Sequence, residues 1–223
     1  MKITWLGQAG LLFESGLSVM IDPYLSDSVG AVNGNHRRVP VDERFFDAVP
    51  DVMIFTHNHL DHYDPDTVMR FFASGKPMLI LCPRSVWAEV RRLGGGHNFV
   101  CFDVGTEWTE GNICFRAVKA VHSDFDAIGV VISAEGKHYY VTGDTLYNPA
   151  LLAGLPQLEA IFLPINGVGN NMNAVDGARL AVESGAKYKV PLHVGLMDGL
   201  RAEEIFDVPG RVIPRFYEEI VFD

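Results

Sequence analysis

Short, mostly apolar runs separated by Gly-, Asn- and Asp-containing turns dominate the first half of the chain. Residues 2–6, 10–14 and 18–22 read as strands, with Ser15-Gly16 as the tight turn between the last two, which predicts an antiparallel meander. Residues 51–56 (DVMIFT) form a buried strand that runs straight into HNHLDH, so polar chemistry sits at a strand's end. Helix 65–73 follows, with Pro65 at its first position and Asp64 as its cap, then strand 78–82 and helix 84–93. From residue 98 to 144 the pattern returns to strands: NFVCFDV, EWTEGNICFRAVKAVH, GVVISAEG and KHYYVTGD, with Glu135-Gly136 as a hairpin turn. Strand 160–164, helix 174–184 capped by Asn173, and strand 187–192 complete the pattern. The least patterned stretches are 26–39 and the tail from Met197 onward. Strands alternating with helices mean a layered α/β protein, and two halves that each carry sheet and helix predict a four-layer αββα sandwich. No repeat or linker marks a boundary, so residues 1–223 read as a single domain.

Composition narrows the class. With 48% apolar and 21% charged residues, the chain can bury a sizeable core. Its apolar runs are strand-sized, far short of the ~20 residues a membrane helix needs. The first residues lack the basic, apolar, small-residue succession of a secretory signal, and the expected location is cytoplasmic. The three cysteines, Cys82, Cys101 and Cys114, have no CxxC spacing and read as buried small hydrophobes. Acidic residues outnumber basic ones by 28 to 18, giving a formal charge of −10, and no basic run exceeds the pairs Arg37-Arg38 and Arg91-Arg92. Such a surface repels polyphosphate, so the expected partner is a small-molecule substrate, with neither nucleic acid nor membrane involved. A homo-oligomer is compatible with the fold class.

His57, His59, Asp61 and His62 fall within six residues of one another. Independent placement would give H-x-H-x-D-H somewhere in such a chain with odds on the order of one in a thousand. Imidazole and carboxylate are borderline-to-hard ligands suited to Zn²⁺, Mn²⁺ or Fe²⁺, and the absence of cysteine removes a thiolate preference for zinc. The other histidines, His36, His97 and His138, read as solvated side chains. Arg37 and Arg38, in the loop NGNHRR, could meet an anionic substrate or simply be solvated.

The run THNHLDH from Thr56 to His62 resembles the signature of the metallo-β-lactamase fold superfamily. The resemblance extends to His122 in AVHSD, Asp144 in TGDT and His193 in PLHVG, and so covers nearly the whole chain. It implies two divalent metal ions: His57, His59 and His122 on one, Asp61, His62 and His193 on the other, and Asp144 between them. It also implies hydrolysis by a metal-bound hydroxide, with Asp61 as the catalytic residue that orients the attacking water.

Finer motifs, ITWLGQAGLLFE, MIDPYLSDS, FLPINGVGNNMNAVDGARLA and VPLHVG, are similar to the L-ascorbate-6-phosphate lactonase-like branch and its short relatives. That likeness places Asp22 behind a metal-bound imidazole, although Asp22 could equally cap the turn before Pro23. In the loop NGVGNNMN, Asn171 is the preferred substrate contact, while Asn and Gly also satisfy ordinary turn geometry. The chain lacks the extra segments expected around a sugar-phosphate pocket, so the substrate class stays at a small ester, lactone or phosphodiester. Two alternatives stand beside this reading: a nuclease of the same fold, and a non-catalytic metal-binding regulatory protein.

Overall fold

A computed structural model describes residues 1–222. One sheet runs β1 (Lys2–Gly7), β2 (Gly10–Glu14), β3 (Ser18–Ile21), β4 (Val52–Ile54), β5 (Leu79–Cys82), β6 (Asn98–Cys101), in that spatial order. β1 to β3 form the antiparallel meander read from the sequence, and β3 to β6 are parallel. The second sheet is ordered β12 (Tyr188–Leu192), β11 (Ala160–Pro164), β10 (Lys137–Val141), β9 (Ile128–Ala134), β8 (Ile113–Lys119), β7 (Glu107–Glu110). Its β7 to β10 are antiparallel and β10 to β12 parallel.

Strand periodicity explains the layering. In β3, β4 and β5, Val19, Val52 and Leu79 stand side by side and face the other sheet, while Met20, Met53 and Ile80 face outward. Both faces are therefore apolar, as strands covered on two sides must be. The inner faces of both sheets share one core, joined by Phe13, Phe115, Phe162 and Val190. Outside the first sheet pack α2 (Pro65–Phe72) and α3 (Arg84–Leu93), and outside the second packs α4 (Ala174–Glu183). The result is the αββα sandwich. Asp64 and Asn173 cap α2 and α4, each accepting two backbone N–H groups of the first turn.

Several expectations need correcting. EWTEGNICFRAVKAVH is two strands, β7 and β8, folded back at Gly111, whose φ of +56° suits the reversal. Residues 26–39 are not all loop, since α1 (Ser28–Asn33) lies within them. The tail carries α5 (Ala202–Ile205) and then zips along β1, with backbone bonds from Ile220 to Ile3 and from Tyr217 to Trp5. Among the cysteines Cys82 is buried, whereas Cys101 and Cys114 are half-buried. Among the described residues no helix is long and apolar enough to cross a membrane.

Candidate metal centre

β4 ends at Ile54, and the chain turns at Thr56 into the histidine-rich loop. Just beyond the neighbouring β3, Asp22 takes φ +44°, a left-handed conformation uncommon outside glycine. That twist aims its carboxylate back under the loop. It accepts from Thr56 N at 2.8 Å, Thr56 Oγ1 at 2.5 Å and His62 Nδ1 at 2.8 Å. Thr56 Oγ1 in turn lies 3.1 Å from His57 Nδ1. With their Nδ1 atoms engaged, His57 and His62 each keep Nε2 as the free ring nitrogen.

The remaining residues arrive from loops at the same end of the sandwich. His122 follows β8, Asp144 follows β10 and His193 follows β12. One group comprises His57, His59, His122 and Asp144, another Asp61, His62 and His193, and within each group one ligand atom per residue lies within 4.8 Å of the others. Closest approaches are 3.2 Å for His59 Nδ1 to His122 Nε2, 3.2 Å for His62 Nε2 to Asp144 Oδ1, and 3.0 and 3.3 Å for His193 Nε2 to Asp61 Oδ2 and Asp144 Oδ2. Two ligands each about 2.1 Å from a common ion, at octahedral to tetrahedral angles, stand about 3.0 to 3.4 Å apart.

His57 Nε2, His62 Nε2 and Asp144 Oδ1 are buried and make no hydrogen bond, even though the last two approach to 3.2 Å. Buried polar atoms are normally paired, so three unpaired ones spread over these two neighbouring groups fit cations that take their lone pairs. Electrostatics agree. Burial would raise the pKa of Asp61 and Asp144, but His62 and His193 outweigh it and hold both carboxylates below their usual range. Burial likewise opposes charge on His62 and His193, yet the carboxylates lift His62 well above the imidazole range and push His193 up to about 10. His57 lies well below that range because burial dominates there. Ionised carboxylates this deep require positive charge beside them.

All of the expected ligand residues are thus brought together, with Asp22 behind His62. Asn171 sits elsewhere than the substrate contact read from the sequence. It is buried, its Nδ2 donates to Asp144 Oδ2 at 2.7 Å and its Oδ1 accepts from Thr145 N at 3.0 Å, so both ends of the amide are occupied behind Asp144. From the same loop, Asn166, Val168 and Gly169 line the cleft above the cluster. Arg37 donates to Tyr24 O, Val39 O and Tyr217 Oη, a structural clasp. His36 pairs with Asp27, and His138 with Ser133. His97 is more than a solvated side chain, since it stacks on Phe72 with ring centroids 3.8 Å apart.

Gln8 escaped the sequence reading. It stands in the β1–β2 turn at φ +50°, buried, with its side-chain amide between Asp61 and His193. A polar residue in an LGQAG turn at the sheet's functional end was the available signal.

Residues 18–194 match the model of the beta-lactamase superfamily domain. A metal-dependent hydrolase of Bacillus pumilus is 32% identical over 209 residues, covering 86% of this chain and 85% of that protein. Another from Thermoplasma volcanium is 29% identical, covering 92% and 88%. Among solved structures, Igni18, a metallo hydrolase of Ignicoccus hospitalis, superposes with a TM-score of 0.75 at 19% identity over 100% of this chain and 98% of that one. YhfI of Bacillus subtilis, a metallo-beta-lactamase fold protein, gives 0.73 at 19% identity over 98% of both.

Proposed function

Because the chain belongs to the beta-lactamase superfamily, we propose that it is a metal-dependent hydrolase binding two divalent ions, Zn²⁺ or Mn²⁺ with Fe²⁺ as a further option, and cleaving a small ester, lactone or phosphodiester. The observation that supports this most is the trio of unpaired, buried ligand atoms on His57, His62 and Asp144. His57, His59 and His122 would hold one ion, Asp61, His62 and His193 the other, with Asp144 between them. Bound there, divalent ions lower the pKa of water and polarise the oxygen of the attacked group.

The chain's own residues supply the rest. Asp61, with 17% of its side chain exposed, lines the cleft together with His59, Asp144 and His193, and in this reading it orients the attacking water and accepts a hydrogen bond from it. His122 Nδ1 lies 3.3 Å from the carbonyl of Asn170, which fixes its ring with Nε2 toward His59. Asp22 does the same for His62 and makes that imidazole a better electron donor.

A lactonase-like reaction is the leading form of this reading, and a phosphodiesterase-like one its companion. Among the described residues no lysine or arginine lines the cleft, which speaks against the nuclease alternative. A cytoplasmic protein acting on a small molecule is the setting proposed. The test is a hydrolysis panel on metal-analysed protein reconstituted with Mn²⁺ or Zn²⁺, comparing a sugar-acid lactone with a generic phosphodiester, and Asp144→Ala as blank. Wild-type turnover that the variant loses supports the hydrolase. Two bound ions with no turnover of any substrate would leave the regulatory metal-binding reading instead.

A further inference from the structure

We propose that the cleft over the metal centre selects substrates whose non-reacting part is uncharged and rich in hydroxyl groups, and rejects those carrying a phosphate away from the scissile bond. This rests on the hydrolase reading and adds the identity of the recognised group. The cleft has a volume of about 380 Å³, at the small end of the roughly 300–1,000 Å³ of ligand clefts, and takes a monosaccharide-sized molecule.

Beside the apolar Val29, Val168 and Met197, the polar part of its wall outside the metal cluster is built of amides and one acid, Asp198. Asn33 and Asn166 each spend their carbonyl oxygen on a nearby backbone N–H, that of Asn35 at 2.9 Å and Val168 at 3.3 Å. An N–H can be accepted only by Oδ1, so these bonds fix the amide orientation and leave each NH₂ as the donor available to a ligand. Asp198 is pinned by Gly195 N at 2.7 Å and Leu200 N at 3.0 Å, both on Oδ1, which leaves its other oxygen without a partner among the described residues. Fixed donors beside a fixed acceptor match hydroxyls, which both give and take a hydrogen bond.

The same wall is hostile to a remote phosphate. Among the described residues no lysine or arginine lines it, His59 and His193 belong to the metal cluster, and Asp198 adds a negative charge outside that cluster. Arg37 is committed to the clasp with Tyr24, Val39 and Tyr217. Arg38 lies beside Gly199, just outside the lining, and is exposed.

The experiment compares kcat/KM of the Mn²⁺-reconstituted enzyme for an unphosphorylated sugar-acid lactone and for the same lactone phosphorylated on its terminal hydroxyl. Calorimetric titration with the two corresponding ring-opened acids runs in parallel. The unphosphorylated member is expected to win by tenfold or more in both readouts. Asp198→Asn should raise KM for it with kcat unchanged, Asp198→Lys should invert the preference, and Arg38→Ala should leave the ratio as it is. Preference for the phosphorylated member, a ratio unmoved by either Asp198 substitution, or loss of discrimination in Arg38→Ala would each overturn the proposal. If neither lactone is hydrolysed, the lactonase form of the function fails separately. The binding ratio of the two acids then decides the specificity claim, and equal binding refutes it.

Discussion

Gln8 Nε2 donates to Asp61 Oδ2 at 2.7 Å, although the two residues are 53 positions apart. The same nitrogen lies 3.0 Å from His193 Nε2. The backbone of Gln8 serves the site independently, since its carbonyl accepts His193 N at 2.9 Å and Trp5 Nε1 at 3.0 Å. Substitution of the side chain therefore leaves the stitching of β1 to β12 in place and removes only the amide. Gln8→Met keeps the length without the donor. We expect a loss of about 10- to 100-fold in affinity for one of two bound ions, the scale of lost support behind a ligand, with the other unaffected. Competition with a chromophoric chelator resolves the two events, and equal weakening of both would contradict the assignment.

Asp22 offers a sharper contrast between folding and metal binding. Its fully buried carboxylate answers donors from Thr56 and His62. Asp22→Ala strands all of them at once, and the cost should be about 3 kcal/mol or more, as for a broken buried pair. Urea unfolding in EDTA measures that loss without metal. Asp22→Asn can keep its oxygen toward Thr56 N and should cost less, while still weakening metal retention because its NH₂ then stands at the Oδ2 position and cannot accept from His62 Nδ1.

How much of this was legible in the sequence follows from distance along the chain. HNHLDH is local, and so are the Asp64 and Asn173 caps and the alternation of β3 to β5, all of which depend on neighbours a few residues away. Gln8 depends on β1 lying beside the tail and near β12, a pairing that no local pattern encodes. Asn171 shows the same limit. Its loop was recognisable, but which asparagine faces the cleft and which faces Asp144 turns on a run of left-handed residues, Gly167, Gly169 and Asn170. The hairpin at Gly111 had a local signal, since Glu110-Gly111-Asn112 interrupts the strand formers with the same Glu-Gly pair that marks the turn at Glu135-Gly136, but the strand-forming residues on either side of it read as one run.

Asn171 and Asn166 should accordingly separate in kinetics. Asn171→Ala removes the amide that holds Asp144 Oδ2 and leaves Thr145 N without its acceptor, so it should lower kcat by about 10-fold or more with little change in KM, the mark of lost positioning of a catalytic group. Asn166→Ala removes a donor from the cleft wall and should raise KM, with kcat nearly constant. Steady-state measurements on one substrate with both variants check this, and the reverse pattern would place Asn171 at the substrate after all.

The cleft wall also carries an acid-sensitive fastening. Asp27 Oδ2 lies 2.6 Å from His36 Nδ1, and its Oδ1 accepts Arg37 N at 3.0 Å, which closes the loop bearing Val29, Asn33 and Asn35. Those bonds, that of His36 first, lower the pKa of Asp27. A carboxyl held lower in the folded state contributes stability above its ordinary value of about 3.9, and the contribution is lost as pH falls through the folded value. Amide exchange at Arg37 should thus show constant protection from pH 7 to about pH 5 and a fall below about pH 4, on the side where protonation of Asp27 removes the acceptor. Asp27→Asn should show weaker protection without the acid-side step. Gly30 is part of the same fastening, since a side chain there would run into both His36 and Asp27. Gly30→Ala should lower the protection of Arg37 at every pH, and unchanged exchange in that variant would mean the loop is held by other contacts.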